Sequence, residues 1–333
     1  MTTLPDLELQ RLDLREFLFK LTLANGIDTK QAWQITVPEF PRPISLKFIN
    51  IPLDGLSGKP VVFNFHGAVD RAKRTVPFFG ANYIKSWCPN ALVIAIADPM
   101  LEVHADLRVA WYAGSETLNV PELLRQLVTA ILQTLGASRV VFVGASTGGH
   151  AALVQSWHVP GSIVVVSNPI CSISPYYEPA VREYLQTCWP SLGYPKRGSW
   201  PKSFVDFAER LYAERCDNNV IYLTNADDRH FWRQAAPFFY AVRQGNARTR
   251  LMLISNYNTE YSGHATSPSV LGRWVAAACQ APTAGVTDIA KKANELAVAQ
   301  AVIPPNLAKK PDGTKLPCTQ DVEIANKLLD LLN

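Results

Sequence analysis

Short runs of apolar residues alternate with longer, mixed segments along most of the chain. Most of the runs are continuously apolar rather than alternating, which is typical of strands buried on both faces of a parallel sheet. The mixed segments carry helical patterns, and the one at 121–135 begins with Pro121 and ends before Gly136, as helices commonly do. Alternating strands and helices predict an α/β fold with a mostly parallel central sheet and helices on both faces. The predicted strands are 44–51, 61–65, 91–97, 140–143, 163–166, 220–223 and 251–254, and further helices are predicted at 150–157, 235–244 and 269–280.

Residues 170–216 separate two predicted strands and are rich in proline, tyrosine and tryptophan. Because connections in compact domains are usually much shorter, we interpret this region as an insertion, with helices at 178–187 and 203–215. Two interpretations are open: a cap over a functional site, and a packing excursion without a role in function.

The chain after Pro282 has a different composition. An alanine-rich stretch at 287–302 and the final residues 320–332 show helical patterns, and a proline-rich segment joins them. This tail either packs on the core or mediates association. The expected organisation is an N-terminal segment at 1–40, an α/β core at 41–281 that contains the insertion, and a C-terminal helical tail at 282–333.

Composition and charge narrow the class of protein. The 333 residues are 48% hydrophobic and 18% charged, with a formal net charge of +4, which indicates a globular chain rather than a disordered one. The basic residues are dispersed among acidic ones, so we expect no nucleic-acid partner. No apolar stretch approaches the roughly 18 residues of a membrane span, and the N-terminus lacks the pattern of a signal peptide. The six cysteines form no C-x-x-C pair, which favours reduced cysteines in a cytoplasmic protein over a disulfide framework or a metal site.

The strongest candidate for chemistry is the segment VVFVGASTGGHAAL at 140–153. Within it, residues 144–148 fit G-x-S-x-G, directly after a predicted strand and directly before a helical pattern. In that context the small flanking residues permit a strained turn that lifts the Ser146 hydroxyl clear of the sheet. The N-terminus of the following helix directs free N–H groups at the same point. The motif alone also describes an ordinary glycine-rich turn, but the strand and helix around it favour a nucleophilic serine.

A serine hydroxyl needs a base to accept its proton before it becomes a useful nucleophile. His264 lies in a polar loop after the last predicted strand, from which an imidazole can reach over the nucleophile. We therefore favour His264 as the base, with His230 as the competing candidate and His150 as a helix residue beside the turn. An orienting acid is expected after the penultimate strand, where Asp227 and Asp228 are both available.

An acyl-transfer site also needs hydrogen-bond donors for the oxyanion that develops in the transition state. The strand at 61–65 leads into His66-Gly67-Ala68, which places a backbone N–H from the following loop at the mouth of the site. The predicted oxyanion-binding donors are the N–H groups of Ala68 and Thr147. His66 is then expected to brace the loop rather than to act as a base.

With these segments in this order, the chain resembles the α/β-hydrolase superfamily over about residues 40–280. The resemblance implies a Ser–acid–His triad in that chain order, often a lid, and neither a metal nor a cofactor. It favours Asp228 over Asp227 as the acid, because the family usually places this residue about four positions beyond the strand. One departure is Asn225, which stands where a glycine usually follows the penultimate strand. A looser similarity, carried by the HGA segment and a following arginine, is to hydrolase-like proteins of bacterial surface-polysaccharide pathways.

The loop after Ala68 is unusually basic, with Arg71, Lys73 and Arg74 within four positions. Arg71 in particular is a candidate for binding an anionic substrate, although an ordinary solvated loop explains the same charges. Trp111 is a second candidate for lining the site, since an aromatic side chain suits both sugar stacking and hydrophobic packing.

Together these features predict a serine hydrolase that cleaves carboxylic esters of a polar or anionic small molecule or saccharide through an acyl-enzyme. An acyl- or O-acetyltransferase that acts on a sugar hydroxyl would use the same motifs and differ only in the acceptor. A non-catalytic hydrolase fold that serves as an interaction module is a third hypothesis, favoured by the aromatic insertion and the helical tail. An intact serine, acid and histidine argue against this third hypothesis.

Overall fold

The computed structural model describes residues 9–23, 28–192, 204, 206–225, 227–245, 250–255 and 263–301. The strands in these ranges, numbered along the chain, are β1 (Leu9–Asp13), β2 (Ala32–Thr36), β3 (Ile44–Asn50), β4 (Pro60–Phe65), β5 (Leu92–Ile96), β6 (Arg139–Ala145), β7 (Ile163–Ser167), β8 (Asn219–Thr224) and β9 (Leu251–Ser255). They form one sheet in the order β1-β2-β3-β5-β4-β6-β7-β8-β9. All neighbouring strands pair in parallel except β2 with β3 and β3 with β5, which confirms the mostly parallel sheet.

Helices cover both faces of the sheet, as predicted. They are α1 (Leu14–Leu23), α2 (Val120–Leu135), α3 (Thr147–Trp157), α4 (Glu178–Cys188), α5 (Ala208–Glu214), α6 (Phe231–Gln244), α7 (Pro268–Gln280) and α8 (Val286–Ala301). The buried side chains of α1 to α6 belong to one hydrophobic cluster, and those of α7 and α8 belong to a second. Among the described residues, no helix is long and apolar enough to cross a bilayer.

Burial on both faces explains the continuous apolar runs in the sequence. In β6, Phe142 packs into the first cluster, whereas its neighbours Val141 and Val143 pack into the second. Because successive side chains of a strand point to opposite faces, a strand covered on both sides needs an apolar residue at nearly every position.

Helix α2 shows how local signals set the bounds of an element. The Asn119 side chain accepts a hydrogen bond from the Glu122 N–H at 3.2 Å, which satisfies one of the free donors at the helix start. Gly136 ends the helix in the left-handed region, with φ 55°. Between these ends the apolar residues recur on one face and are buried in the first hydrophobic cluster.

The chain reverses its winding direction at β4. From β4 it crosses to β5 on one side, whereas the next strand, β6, lies on the other side of β4. At such a reversal a crevice opens at the carboxyl ends of the strands, and open α/β sheets bind ligands there. Phe65 and Gly144 are register partners near the ends of β4 and β6. The residues that follow them, 66–68 and 146–148, therefore meet at this crevice.

The seven strands expected from the sequence are all present, but β1, β2 and α1 were not predicted. In the insertion, α4 agrees with the expected helix at 178–187, whereas α5 covers only part of the expected 203–215. The expected helix at 287–302 corresponds to α8. The expected helix at 320–332 lies outside the described residues.

Candidate active site

The turn between β6 and α3 holds Ser146 in a strained conformation, with φ 52° and ψ −122°. Positive φ is unfavourable for a residue with a Cβ, by about 1–3 kcal/mol, and such strain persists only where the surroundings enforce it. Backbone hydrogen bonds do so here: the Ser146 N–H donates to Ser167 O at 3.0 Å, and Ser146 O accepts from the Ile170 N–H at 2.9 Å. Both glycines of the motif are required by space, because a Cβ on Gly144 would overlap Gly148 O and one on Gly148 would overlap Phe65 O.

Ser146, His264 and Asp228 form one chain of hydrogen bonds. The Ser146 Oγ lies 2.8 Å from His264 Nε2, and His264 Nδ1 lies 2.8 Å from Asp228 Oδ2. The Asp228 side chain is only 4% exposed, whereas the His264 side chain is 27% exposed. This arrangement allows the imidazole to accept the serine proton at Nε2 while the carboxylate holds the other ring proton at Nδ1.

The two candidate acids have different positions. Asp228 Oδ1 accepts the His230 N–H at 2.9 Å, so both of its oxygens are engaged. Burial raises the pKa of Asp228, but the hydrogen bonds from His264 and His230 outweigh it and lower this pKa below its ordinary value. Asp227 does not touch the imidazole; its Oδ1 accepts the Gly263 N–H at 2.9 Å, just before His264 in the chain. The structure therefore brings Asp228 to the histidine and uses Asp227 to hold the backbone beside it.

Two asparagines, which the sequence did not single out as site residues, fix the position of the histidine. Asn225 Nδ2 donates to both Gly263 O and Ala265 O at 2.7 Å, and Asn168 Nδ2 donates to the same Ala265 O at 2.9 Å. The Asn225 N–H in turn donates to Asn168 Oδ1 at 2.9 Å. The residue pattern hinted at Asn225 only, as a departure from the usual glycine, whereas nothing in the sequence marked Asn168.

The loop after β4 lies directly against the nucleophile. A Cβ added to Gly67 would lie 3.2 Å from Ala145 O and 3.6 Å from Ser146 Cβ, so only glycine fits without crowding the serine. Within the described parts of the chain, neither the Ala68 N–H nor the Thr147 N–H donates a hydrogen bond to a protein acceptor. These two amides are thus available as donors on either side of the crevice, as an oxyanion-binding pair requires.

His66 is buried in the brace that holds this loop. Its Nδ1 lies 2.7 Å from Gly67 O, and its Nε2 accepts the Asp98 N–H at 3.2 Å, which requires a neutral ring protonated on Nδ1. Burial lowers the pKa of His66 to about 4, although the bond to Gly67 opposes this effect. Tyr112 Oη accepts the His66 N–H at 3.1 Å and donates to Ile96 O at 2.7 Å. In the structure, His66 therefore supports the loop and has no contact with Ser146 Oγ.

Asp98, which follows β5, also takes part in the hydrogen bonds that hold the loop after β4. Its two carboxylate oxygens accept the N–H groups of Met100 and Tyr112, at 3.0 and 2.8 Å. Burial raises the pKa of Asp98 to about 7, against the opposing effect of these two hydrogen bonds.

The insertion reaches the candidate site through Tyr176. Its ring stacks on His230 with centroids 5.3 Å apart, and His230 lies edge-on against His264 at 4.9 Å. Burial lowers the pKa of His230, and the nearby His264 adds to this effect. His230, the competing base, thus lies behind the imidazole of His264 and does not reach Ser146.

Of the two predicted substrate-binding side chains, one is buried and the other is partly exposed. Trp111 is 1% exposed and packs edge-on against Tyr176 and Tyr184, so its burial contradicts the expectation that it lines an accessible site. Arg71 is partly exposed and donates from Nη1 to Leu101 O at 3.1 Å, which holds it along the carboxyl edge of the sheet.

One cluster has the spacing of a metal site. Asp228, His230 and His264 each offer a ligand atom, and these atoms lie within 4.8 Å of one another. The hydrogen bond between Asp228 and His264 already uses two of these residues, so a metal ion would compete with that bond. The expectation that the protein uses no metal stays a prediction.

Comparisons with known proteins identify the fold. No family model matches the chain, and no curated protein matches it either. Among solved structures, an S-formylglutathione hydrolase from Agrobacterium tumefaciens is similar with a TM-score of 0.50 and 14% identity, over 80% of this chain and 94% of the other. A capsule O-acetyltransferase of Neisseria meningitidis serogroup A aligns over 69% of this chain and 89% of the other, with a TM-score of 0.46 and 17% identity. An acetyl xylan esterase from Thermoanaerobacterium sp. aligns over 76% and 89%, with a TM-score of 0.44 and 14% identity. The chain has the α/β-hydrolase fold.

Proposed function

We propose that this protein is a serine hydrolase that cleaves carboxylic esters. The observation that carries the proposal is the continuous hydrogen-bonded chain from Ser146 Oγ through His264 to Asp228, with 2.8 Å at each step. The strained turn beneath the serine supports it, because strain of this kind gathers at functional sites. The α/β-hydrolase fold, which an S-formylglutathione hydrolase shares, is compatible with this chemistry.

In the proposed reaction, Ser146 Oγ bonds to the ester carbonyl carbon as its proton passes to His264 Nε2. The carbonyl oxygen becomes an oxyanion, which the N–H groups of Ala68 and Thr147 bind. His264 then gives the proton to the departing alcohol as the C–O bond breaks, which leaves an acyl-serine. The oxygen of a water molecule then bonds to the acyl carbon as the water gives a proton to His264. That proton passes to Ser146 Oγ as the bond between Ser146 and the acyl group breaks, which releases the acid and restores the serine. Throughout, Asp228 keeps the other ring proton on Nδ1 and stabilises the imidazolium.

An active-site probe tests this proposal directly. Intact mass after exposure to a fluorophosphonate should show one adduct on the wild type and none on Ser146→Ala. Ser86→Ala is the matched control, because Ser86 is exposed and makes no hydrogen bond to a histidine of the described residues, and this variant should label like the wild type. Absence of an adduct on folded wild-type protein would contradict an activated serine and favour a non-catalytic hydrolase fold.

A second candidate function is acyl transfer to a sugar hydroxyl. Two exposed aromatic side chains favour it: Tyr177, 59% exposed, follows Tyr176, and Trp232, 79% exposed, follows His230 by two positions. Exposed aromatic surface beside a site is typical of ligand contact. With 4-nitrophenyl acetate as donor and a saccharide as acceptor, a transferase yields acetylated sugar in excess of free acetate. Trp232→Ala should lower this ratio, whereas Tyr240→Ala, on the same helix, should leave it unchanged.

A further inference from the structure

A polar cavity of about 320 Å³, separate from the candidate active site, opens beside β1 and β2, the first two strands in the order of the sheet. Its lining comes from β1 and β2, from the residues before β3 and from the turn after β5. Arg11, Gln34 and Arg42 provide hydrogen-bond donors to it, and Glu102 provides the one carboxylate of the lining. The lining therefore has a net positive charge.

The donors of this cavity are largely unused. Arg11 makes a hydrogen bond through Nε alone, which donates to Gln34 Oε1 at 3.1 Å. In the part of the chain that the structure describes, no carboxylate lies within 4.0 Å of the Arg11 or Arg42 guanidinium. Gln34 is only 8% exposed, and its Nε2 has no acceptor among the described residues. A nearly buried amide and two guanidinium groups with free N–H donors are the groups that bind an oxyanion.

The carboxylate of the lining already has a hydrogen-bond donor of its own. Glu102 Oε1 accepts the Ser45 hydroxyl at 3.1 Å. Burial raises the pKa of Glu102, against the opposing effects of the Ser45 hydrogen bond and of the nearby Arg42 charge. Within the described residues no ion pair joins Glu102 to Arg11 or Arg42, so their N–H donors stay available, and Glu102 offers an acceptor to a hydroxyl or amine next to a bound anion.

The cavity lies on the same edge of the sheet as the nucleophile. Strand pairing places Leu46, Ile96, Phe65 and Gly144 on one row across β3, β5, β4 and β6. Ser146 lies just after the end of β6, two residues beyond Gly144. Because β3 runs antiparallel to β5, the residues before Leu46 reach the same edge of the sheet. Arg42 lies just before β3 and Gln34 lies in β2, and these two strands are three and four positions from β6 in the sheet. At about 4.8 Å between neighbouring strands, this part of the cavity lies roughly 14–19 Å from the serine.

Arg71 lies between the two sites. Its guanidinium bonds to Leu101 O, one residue before Glu102, and its loop begins at the proposed oxyanion donor Ala68. A substrate that extends from Ser146 along this edge would therefore pass a positive charge before it reaches Arg42.

We propose that this cavity is a substrate subsite that binds an oxyanion, a carboxylate or a phosphate group, carried on the substrate about 14–19 Å from the ester carbonyl. The role as a substrate subsite rests on the proposed esterase function, whereas anion binding by the cavity does not. The subsite makes the preferred substrate an extended anionic molecule rather than a small neutral ester.

Three acetate esters of one design test the proposal. Each carries its acetyl group at one end of a spacer of about 15 Å, and a carboxylate, a phosphate or a neutral amide at the other. Wild type should show a KM at least about tenfold lower for the charged esters than for the amide, with similar kcat, because a charge-assisted pair is worth about a factor of ten or more. A lower KM for the carboxylate or for the phosphate ester identifies the preferred group.

Substitutions assign the effect to the cavity. Arg42→Gln should raise the KM for the charged esters to that for the amide and leave 4-nitrophenyl acetate hydrolysis unchanged. Arg15→Gln is the charge-matched control, since Arg15 is exposed on α1 and outside the cavity lining, and it should behave as wild type. Equal KM values for charged and neutral esters on wild type, or an equal loss in Arg15→Gln, would overturn the subsite.

Binding to Ser146→Ala separates this proposal from the proposed function. Calorimetry on that variant measures affinity for the same esters without turnover, and adding Arg42→Gln should weaken binding of the charged esters only. If no ester is hydrolysed by the wild type but this charge-dependent binding persists, the esterase function fails while the anion site stands. If hydrolysis occurs without such binding, the anion site is refuted and the esterase function stands.

Discussion

Replacing Asp228 by asparagine changes one atom of the candidate triad and reverses the direction of one hydrogen bond. Asp228 Oδ1 accepts the His230 N–H at 2.9 Å, and Oδ2 accepts from His264 Nδ1 at 2.8 Å. Asparagine keeps one acceptor, which the His230 N–H requires, and so presents its NH₂ group to the imidazole. His264 then accepts at Nδ1 and carries its proton on Nε2, facing Ser146, where it can no longer act as a base.

The alternative orientation of the amide in Asp228→Asn, which would restore the hydrogen bond from His264 Nδ1, is unfavourable in free energy. With its oxygen turned to His264, the NH₂ group would face the His230 N–H, and the unpaired donors would cost about 1–3 kcal/mol at this buried position. The inverted tautomer is therefore expected to dominate. In comparable triads this replacement lowers kcat about 10⁴-fold, which is ~5.5 kcal/mol at ~1.4 kcal/mol per factor of ten.

Asp227→Asn is the matched control for this substitution. Asp227 Oδ1 accepts only the Gly263 N–H, and the asparagine oxygen can accept the same bond, so we expect less than a tenfold loss. The assay is the rate of inactivation by a fluorophosphonate together with 4-nitrophenyl acetate hydrolysis, on variants with unchanged melting temperature. A loss in Asp227→Asn as large as that in Asp228→Asn would refute the assignment, and so would a fully active Asp228→Asn.

Three further changes test the structure around the site. Gly148→Ala should lower the free energy of unfolding by about 3 kcal/mol, because its Cβ would overlap the Phe65 backbone carbonyl. Gly285→Ala should lower it by less, since its Cβ meets only the Thr283 side chain, at 3.2 Å; urea denaturation measures both variants. Asp98 has a folded-state pKa of about 7, above its ordinary 3.8, so the unfolded state releases the proton first and stability falls as pH rises from 4 to 7. Relative to Asp98→Asn, the wild type should therefore lose stability over that window and not above it, in urea titrations at each pH; a flat difference would contradict the raised pKa. Tyr112→Phe removes two buried hydrogen bonds and should lower the free energy of unfolding by about 2 kcal/mol or more. Its reactivity with a fluorophosphonate should fall by no more than the fraction of folded protein falls.

The parts of the fold that could be predicted from the sequence are those whose signal is local. Strands covered on both faces must be apolar throughout, so β6 and its neighbours stand out as uninterrupted runs. The turn at Ser146 stands out because backbone crowding permits only glycine at Gly144 and Gly148. The selection of Asp228 and His264 depended on the chain order that the resemblance implied, and the structure brings both into one hydrogen-bonded chain with Ser146.

The missed features depend on distant parts of the chain. Strands β1 and β2 contain polar residues such as Gln34. Pairing with β3 fixes β2, and pairing with β2 fixes β1, rather than a pattern of their own. The burial of Trp111 depends on Tyr176 and Tyr184 of the insertion, more than 60 positions away, so an aromatic residue there looked equally suited to substrate contact. Asn168 helps to position His264 through a hydrogen bond to the backbone carbonyl of Ala265, and no local sequence pattern predicts a contact between residues so far apart in the chain.

The two asparagine side chains that bind the carbonyls around His264 have a consequence for how the chain can vary. Asn168 and Asn225 follow β7 and β8, which lie inside the sheet, so these two strands fix the position of the His264 imidazole. Strand β9, which precedes the histidine in the chain and lies at the sheet edge, does not take part in these hydrogen bonds. The length of chain between β9 and Gly263 therefore does not set the distance between His264 Nε2 and Ser146 Oγ. A change in the number of residues between Ser255 and Gly263 is therefore compatible with an unchanged position of the His264 imidazole, because the carbonyl groups that the two asparagines bind stay in place.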